Sequence, residues 1–84
     1  MVATRTSEIV AALCGMLQRY NKNNLELGGA TKIAAELNID SVEVMDLVME
    51  LEEKFDVDIP INLLSDVETV EDLAKVVAER MEER

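Results

Sequence analysis

SVEVMDLVMELEEKF, residues 41–55, is the stretch whose reading decides the fold. At about 100° per residue, Val44, Leu47, Val48, Leu51 and Phe55 cluster on one side of a helix. Glu43, Asp46, Glu50 and Glu53 form an acidic ridge beside that stripe. Val42, Met45 and Met49 make a third strip, next to the ridge and away from the centre of the stripe. The first face belongs to a core. The acids suit a solvated face, the commonest fate of a charge run, or a partner-binding one. The two methionines suit flexible core filler or an adaptable docking surface. Like charges three and four residues apart weaken a lone helix by roughly 0.2–0.5 kcal/mol per pair. Lys54 is the one cation of this helix to set against that repulsion.

The ends of this helix are written beside it. Asp40, three residues before Glu43, has the spacing of a capping box. Lys54 lies in the last turn, where the helix dipole favours a cation. Asp56-Val57-Asp58-Ile59-Pro60 breaks the helix. Downstream, residues 61–65 allow only a short third helix. Thr69, with Asp72 three residues on, opens a last helix to about Met81. Its core face is Val70, Leu73, Ala74, Val77 and Met81. Upstream, a first helix runs from Thr6 or Ser7, its candidate caps, to Tyr20. Ile9, Val10, Leu13, Met16, Leu17 and Tyr20 share its core face. Between the two lies a long connection, residues 21–39, containing Gly28-Gly29. Leu25, Leu27, Ile33 and Leu37 can pin it to the core, and residues 31–37 can form a short helical turn. The expected fold is all-α: one domain over residues 1–84, a small four-helix bundle. Its three main helices cover about 6–20, 41–55 and 69–81; the short third helix covers about 61–65.

Composition agrees. Aliphatic side chains must supply the core of these 84 residues, because Tyr20 and Phe55 are the only aromatics. The net charge of −10 is concentrated after residue 35. Such a surface repels nucleic-acid backbones and anionic lipid, and attracts partners with Lys/Arg patches. Cys14 is the single cysteine, so no internal disulfide framework exists. It flanks the apolar face of the first helix as a small hydrophobe. The longest apolar run, residues 9–17, is too short to span a bilayer, and no small-x-small cleavage site follows it. The expectation is a cytoplasmic monomer without membrane insertion.

Much chemistry is excluded. Without histidine there is no Ser-His or Cys-His catalysis. No phosphate-cradling glycine loop occurs. Asp56-x-Asp58 opens like a calcium loop, but Pro60, Ile61 and Val67 stand where the fifth, sixth and twelfth positions need ligands or glycine. An enzyme is therefore not expected, and no metal site is assigned. Ser41 opens the acidic helix. On the residues alone it is either a cap or a place where a group is attached.

The segment Ala35-Glu36-Leu37-Asn38-Ile39-Asp40-Ser41-Val42 resembles the prosthetic-group site of acyl carrier proteins, whose pattern is acid-Leu-Gly-x-Asp-Ser-Leu. The likeness continues in order through the helix to Phe55, Asp58-Ile59-Pro60 and Thr69-Val70-Glu71-Asp72-Leu73. It implies a carrier whose Ser41, with Asp40 in the attachment motif, receives 4′-phosphopantetheine from coenzyme A. A separate phosphopantetheinyl transferase does this, so the chain needs no base of its own. The arm holds an acyl group as a thioester and presents it to acyl-transferring or acyl-processing enzymes. The resemblance also implies that basic partners meet Glu43, Asp46, Glu50 and Glu53, with Val42, Met45 and Met49 as apolar contacts. The bundle interior can shelter an acyl chain. Three departures stand out: Asn38 replaces glycine, Val42 replaces leucine, and residues 61–65 carry no acid. They favour a specialised carrier with its own partners over the general fatty-acid one, within fatty-acid or specialised lipid biosynthesis. An aminoacyl or polyketide carrier, or an unmodified acidic interaction module, are the alternatives.

Overall fold

The computed structural model describes residues 2–22 and 24–82, with side chains described from Thr6 onward. Four α-helices follow one another: α1 (Val2–Leu17), α2 (Ile33–Leu37), α3 (Ser41–Phe55) and α4 (Val70–Glu82). Single 3-10 segments extend α1 (Gln18–Tyr20) and precede α4 (Ile61–Asp66). The all-α bundle expected from the periodicity is present. The core stripe of α3 is buried at Leu47, Val48 and Leu51, with Val44 and Phe55 half-buried against it. It meets Ile9, Leu13 and Leu17 of α1 and Val70, Leu73, Ala74, Val77 and Ala78 of α4. Burying each such leucine or valine stabilises the fold by roughly 1.5–3 kcal/mol relative to leaving it exposed.

One boundary differs from expectation, and the short third helix is present with a tighter winding. The first helix starts at Val2, so Thr6 and Ser7 lie inside it and do not cap it. Residues 2–5 contain no glycine or proline, and nothing there stops the helix from extending. The segment after Pro60 is a 3-10 helix without a buried residue. Six residues between a proline and an extended Val67 favour the tighter winding used in short pieces.

The long connection is held by backbone bonds as well as by side chains. Ile33 N–H donates to Glu68 O (2.9 Å), Val70 N–H to Thr31 O (3.0 Å) and Glu71 N–H to Gly29 O (2.9 Å). Lys32 and Thr69 thereby form an isolated antiparallel bridge. Asn21 clamps the other end: its side-chain amide donates to Leu25 O (2.7 Å) and accepts Leu25 N–H (2.8 Å). Ile33 and Leu37 are buried, and Leu25 and Leu27 pack on the core. The short turn expected within residues 31–37 is α2.

Helix α3 closes at Asp56, which takes the left-handed conformation (φ 53°). Val57 N–H then donates to Glu52 O (3.1 Å), the six-to-one bond of a Schellman ending. The Glu52 carboxylate accepts Ile59 N–H (2.9 Å), and Arg80 Nε donates to Asp58 O (2.8 Å). These bonds fix the chain leaving α3 against the far end of α4.

Candidate functional site

Entry into α3 is set by three consecutive residues. Asn38 ends α2 in the left-handed region (φ 54°, ψ 42°). Asparagine visits this region more readily than other side-chain-bearing residues, which explains how it replaces a glycine here. Ile39 follows and is buried, anchoring the chain in the core. Asp40 is extended (φ −83°, ψ 175°) and caps α3. Its carboxylate accepts Glu43 N–H (2.9 Å), while the Glu43 carboxylate accepts Asp40 N–H (3.3 Å). The capping box read from the spacing is thus complete.

That box removes Ser41 from capping. Ser41 is the first residue of α3 and is exposed. Its hydroxyl makes no hydrogen bond among the described residues, and neither do the N–H groups of Ser41 and Val42. An accessible primary hydroxyl therefore stands beside two free backbone donors at the positive end of a fifteen-residue helix.

The outer faces of α3 carry different chemistry. Val42 and Met49 are exposed at 70% and 58%, the values of side chains outside the core. Met45 between them is half-buried. On the ridge, Glu43 is engaged in the capping box, and Asp46 and Glu53 are exposed with no partner among the described residues. Glu50 forms an ion pair with Arg19. Arg19 also lies over the Tyr20 ring, 5.1 Å from its centroid, within the range of a cation–π contact. Lys54, the one cation of α3, forms no ion pair with the ridge among the described residues, but Arg19 reaches it from just beyond α1. The sequence carried no signal for this pairing, since helical periodicity relates residues of one helix and not of two.

Below the stripe lies a cavity of about 80 Å³ lined by apolar side chains, among them Val44, Leu47, Leu64 and Leu73. An engineered apolar cavity of about 150 Å³ admits benzene, so this one takes only a few carbons unless the helices part. A wider surface groove of about 720 Å³, bounded by Val10, Gly29 and Lys75 among others, shares no residue with α3. The Cys14 thiol is half-buried, and burial pushes its pKa up, which disfavours the reactive thiolate. Among the described residues, no group of three or more His, Cys, Asp or Glu is placed to hold a metal ion. No described helix is long and apolar enough to cross a membrane.

Residues 7–77 match the family described as "Phosphopantetheine attachment site". A probable acyl carrier protein of Caulobacter vibrioides is 40% identical over 63% of this chain and 62% of its own length. The acyl carrier protein of Wolinella succinogenes is 34% identical over 74% of this chain and 82% of its own. Acyl carrier protein 1, chloroplastic, of Cuphea lanceolata is 30% identical over 92% of this chain but only 56% of its own. The chain thus spans less than two thirds of the Caulobacter and Cuphea proteins. The chain belongs to the acyl carrier proteins, a family that bears covalently bound 4′-phosphopantetheine and carries its cargo without being an enzyme.

Proposed function

We propose that Ser41 is the attachment point of 4′-phosphopantetheine and that α3 presents the loaded arm to partner enzymes. The observation that carries this reading is the unengaged Ser41 hydroxyl, left free because Asp40 supplies the cap. The residues suit the group. An attached phosphodiester finds the free N–H groups of Ser41 and Val42 and the helix dipole on its own side. The carboxylates beside Ser41, those of Asp40 and Glu43, accept each other's backbone N–H in the capping box, and neither is bonded to the Ser41 hydroxyl. The base therefore belongs to the phosphopantetheinyl transferase. In the transfer, Ser41 Oγ bonds to the coenzyme A phosphorus that carries pantetheine, the pyrophosphate P–O bond breaks, and adenosine bisphosphate leaves. The serine proton passes to the transferase. When bound, the group supplies a thiol that holds an acyl chain as a thioester.

Partner contact falls to the outer faces of α3. Glu43, Asp46, Glu50 and Glu53 attract enzymes with basic patches, and Val42, Met45 and Met49 offer the apolar contact. The apolar cavity below Val44 shelters the first carbons of an acyl chain. The relatives are named as carriers of acyl groups, which suits the fatty-acid or specialised lipid pathway that we assign to the chain, in the cytoplasm. The aminoacyl and polyketide alternatives differ only in the cargo found on the arm.

Intact mass after incubation with coenzyme A and a broad-specificity transferase tests the attachment. A gain of one phosphopantetheine on the wild type, abolished in Ser41→Ala, is expected. An unchanged wild-type mass rejects the attachment. Mass spectrometry of the protein from its own host then reads the cargo.

A further inference from the structure

The four ridge carboxylates are not equivalent. Glu43 is committed to the capping box. Glu50 is committed to Arg19. Asp46 and Glu53 have no partner among the described residues. They lie seven residues apart, two turns along one line of α3, or about 10.5 Å at 1.5 Å per residue. Exposed Met49 and the Arg19–Glu50 pair lie between them. On the other side, Arg19 and Tyr20 from the end of α1 complete an open groove of about 430 Å³ against Asp46, Met49, Glu50 and Glu53.

Arg19 is not a freely wandering surface cation. Its guanidinium is held by the Glu50 carboxylate and rests over the Tyr20 ring. A cation tethered to the same chain competes with an external one at the high effective concentration of an intramolecular contact. Both members of the pair are about half exposed (51% and 42%), so the pair is worth little to stability and is open to exchange. A docking enzyme that brings a cation to Glu50 meets a site already filled.

We propose that Arg19 is a specificity-determining residue, a tethered counter-ion that withholds Glu50 from docking partners. The surface then fits a basic enzyme face with two cations spaced for Asp46 and Glu53 and an apolar side chain for Met49. An enzyme whose cation targets Glu50 is slowed, because Arg19 must first be displaced. This rests on the carrier reading of Ser41 and deepens it by naming what selects the partner.

The test is the initial rate of Ser41 modification by a broad-specificity phosphopantetheinyl transferase with coenzyme A, as a function of carrier concentration. Arg19→Gln is expected to lower KM for the carrier about threefold to tenfold at low ionic strength, with kcat unchanged. The gain shrinks as salt is added. Lys22→Gln removes the same charge from an exposed site that forms no ion pair with Glu50 among the described residues, and is expected to change KM less than twofold. In a Glu50→Gln background, Arg19→Gln is expected to lose most of its gain, since no carboxylate remains to be released. Thermal melts of each variant within a few degrees of wild type separate docking from folding. A gain no larger than that of Lys22→Gln overturns the proposal. So does a gain that survives in full in Glu50→Gln, or a rise in KM that makes Arg19 itself a partner contact. A wild type that takes no phosphopantetheine at all sinks the attachment at Ser41 instead, which is a separate result.

Discussion

The starts of α3 and α4 are built from the same parts and use them differently. At α4 the hydroxyl is the cap. Thr69 Oγ1 accepts Asp72 N–H (3.1 Å), and the Asp72 carboxylate accepts the N–H groups of Thr69 and Glu68 (3.1 Å each). At α3 the acid is the cap, and the hydroxyl comes one residue later. Asp40 and Glu43 satisfy each other, and Ser41 is left over. One residue of register separates a hydroxyl consumed in structure from one available for chemistry. A serine near a helix start therefore carries no fixed meaning; its meaning depends on whether the preceding residue can cap.

The comparison breaks most sharply at Ser41. Ser41→Ala is expected to abolish phosphopantetheine transfer while changing unfolding free energy by less than about 0.5 kcal/mol, because no bond is lost. A loss near 1 kcal/mol in urea denaturation would mean that Ser41 is a cap after all. Next in size is Asn38→Val. A β-branched residue in the left-handed conformation costs about 1–2 kcal/mol. The strain lies where the chain turns into α3, so modification is expected to slow as well. Asn38→Gly should fold at least as well as wild type, and the pair can be compared by chemical denaturation.

Thr69→Ala gives the mirror image of Ser41→Ala. It is expected to cost about 1 kcal/mol of stability and leave the transferase rate unchanged. If it slows modification of a folded protein, the two helix starts are coupled. The smallest effect is a pH dependence. Hydrogen bonds from the Thr69 and Glu68 backbone hold the Asp72 carboxyl below the usual aspartate range. A folded-state value below the unfolded one means that the unfolded chain binds the proton first as pH falls. The contribution is present in full above the unfolded aspartate value, about 3.9, and fades as pH drops through the lowered folded value. Asp72→Ala should therefore narrow its gap to wild type in parallel denaturant titrations as pH falls below about 3.9. A gap constant with pH would assign the carboxylate no role in capping.

The α3 stripe and the Asp40–Glu43 box were both legible in the residues, because each depends on spacing within one element. Asn38 was legible only through the family resemblance, which places it where a glycine is usual; the left-handed turn it makes there is seen in the structure. The start of α1 was not legible. Thr6 and Ser7 look like caps, but a cap residue ends a helix only where something upstream prevents its continuation. The pairing of Arg19 with Glu50 was invisible for a different reason. It joins residues 31 positions apart on separate elements, and nothing in either helix's pattern records how the other crosses it. The ridge could be seen from sequence, but not its division into engaged and open carboxylates.

The bridge between Lys32 and Thr69 carries a consequence for exchange with solvent deuterium. By length, the connection after α1 looks like the first part of the chain to open. Yet the amides of Ile33, Val70 and Glu71 are bonded across it, to Glu68, Thr31 and Gly29. Breaking any of these bonds from the loop side also frees the first turn of α4, whose Val70 is fully buried. Their protection factors should therefore approach those of the core leucines, as members of one cooperative unit. A segment without regular structure then becomes one of the slowest reporters of opening.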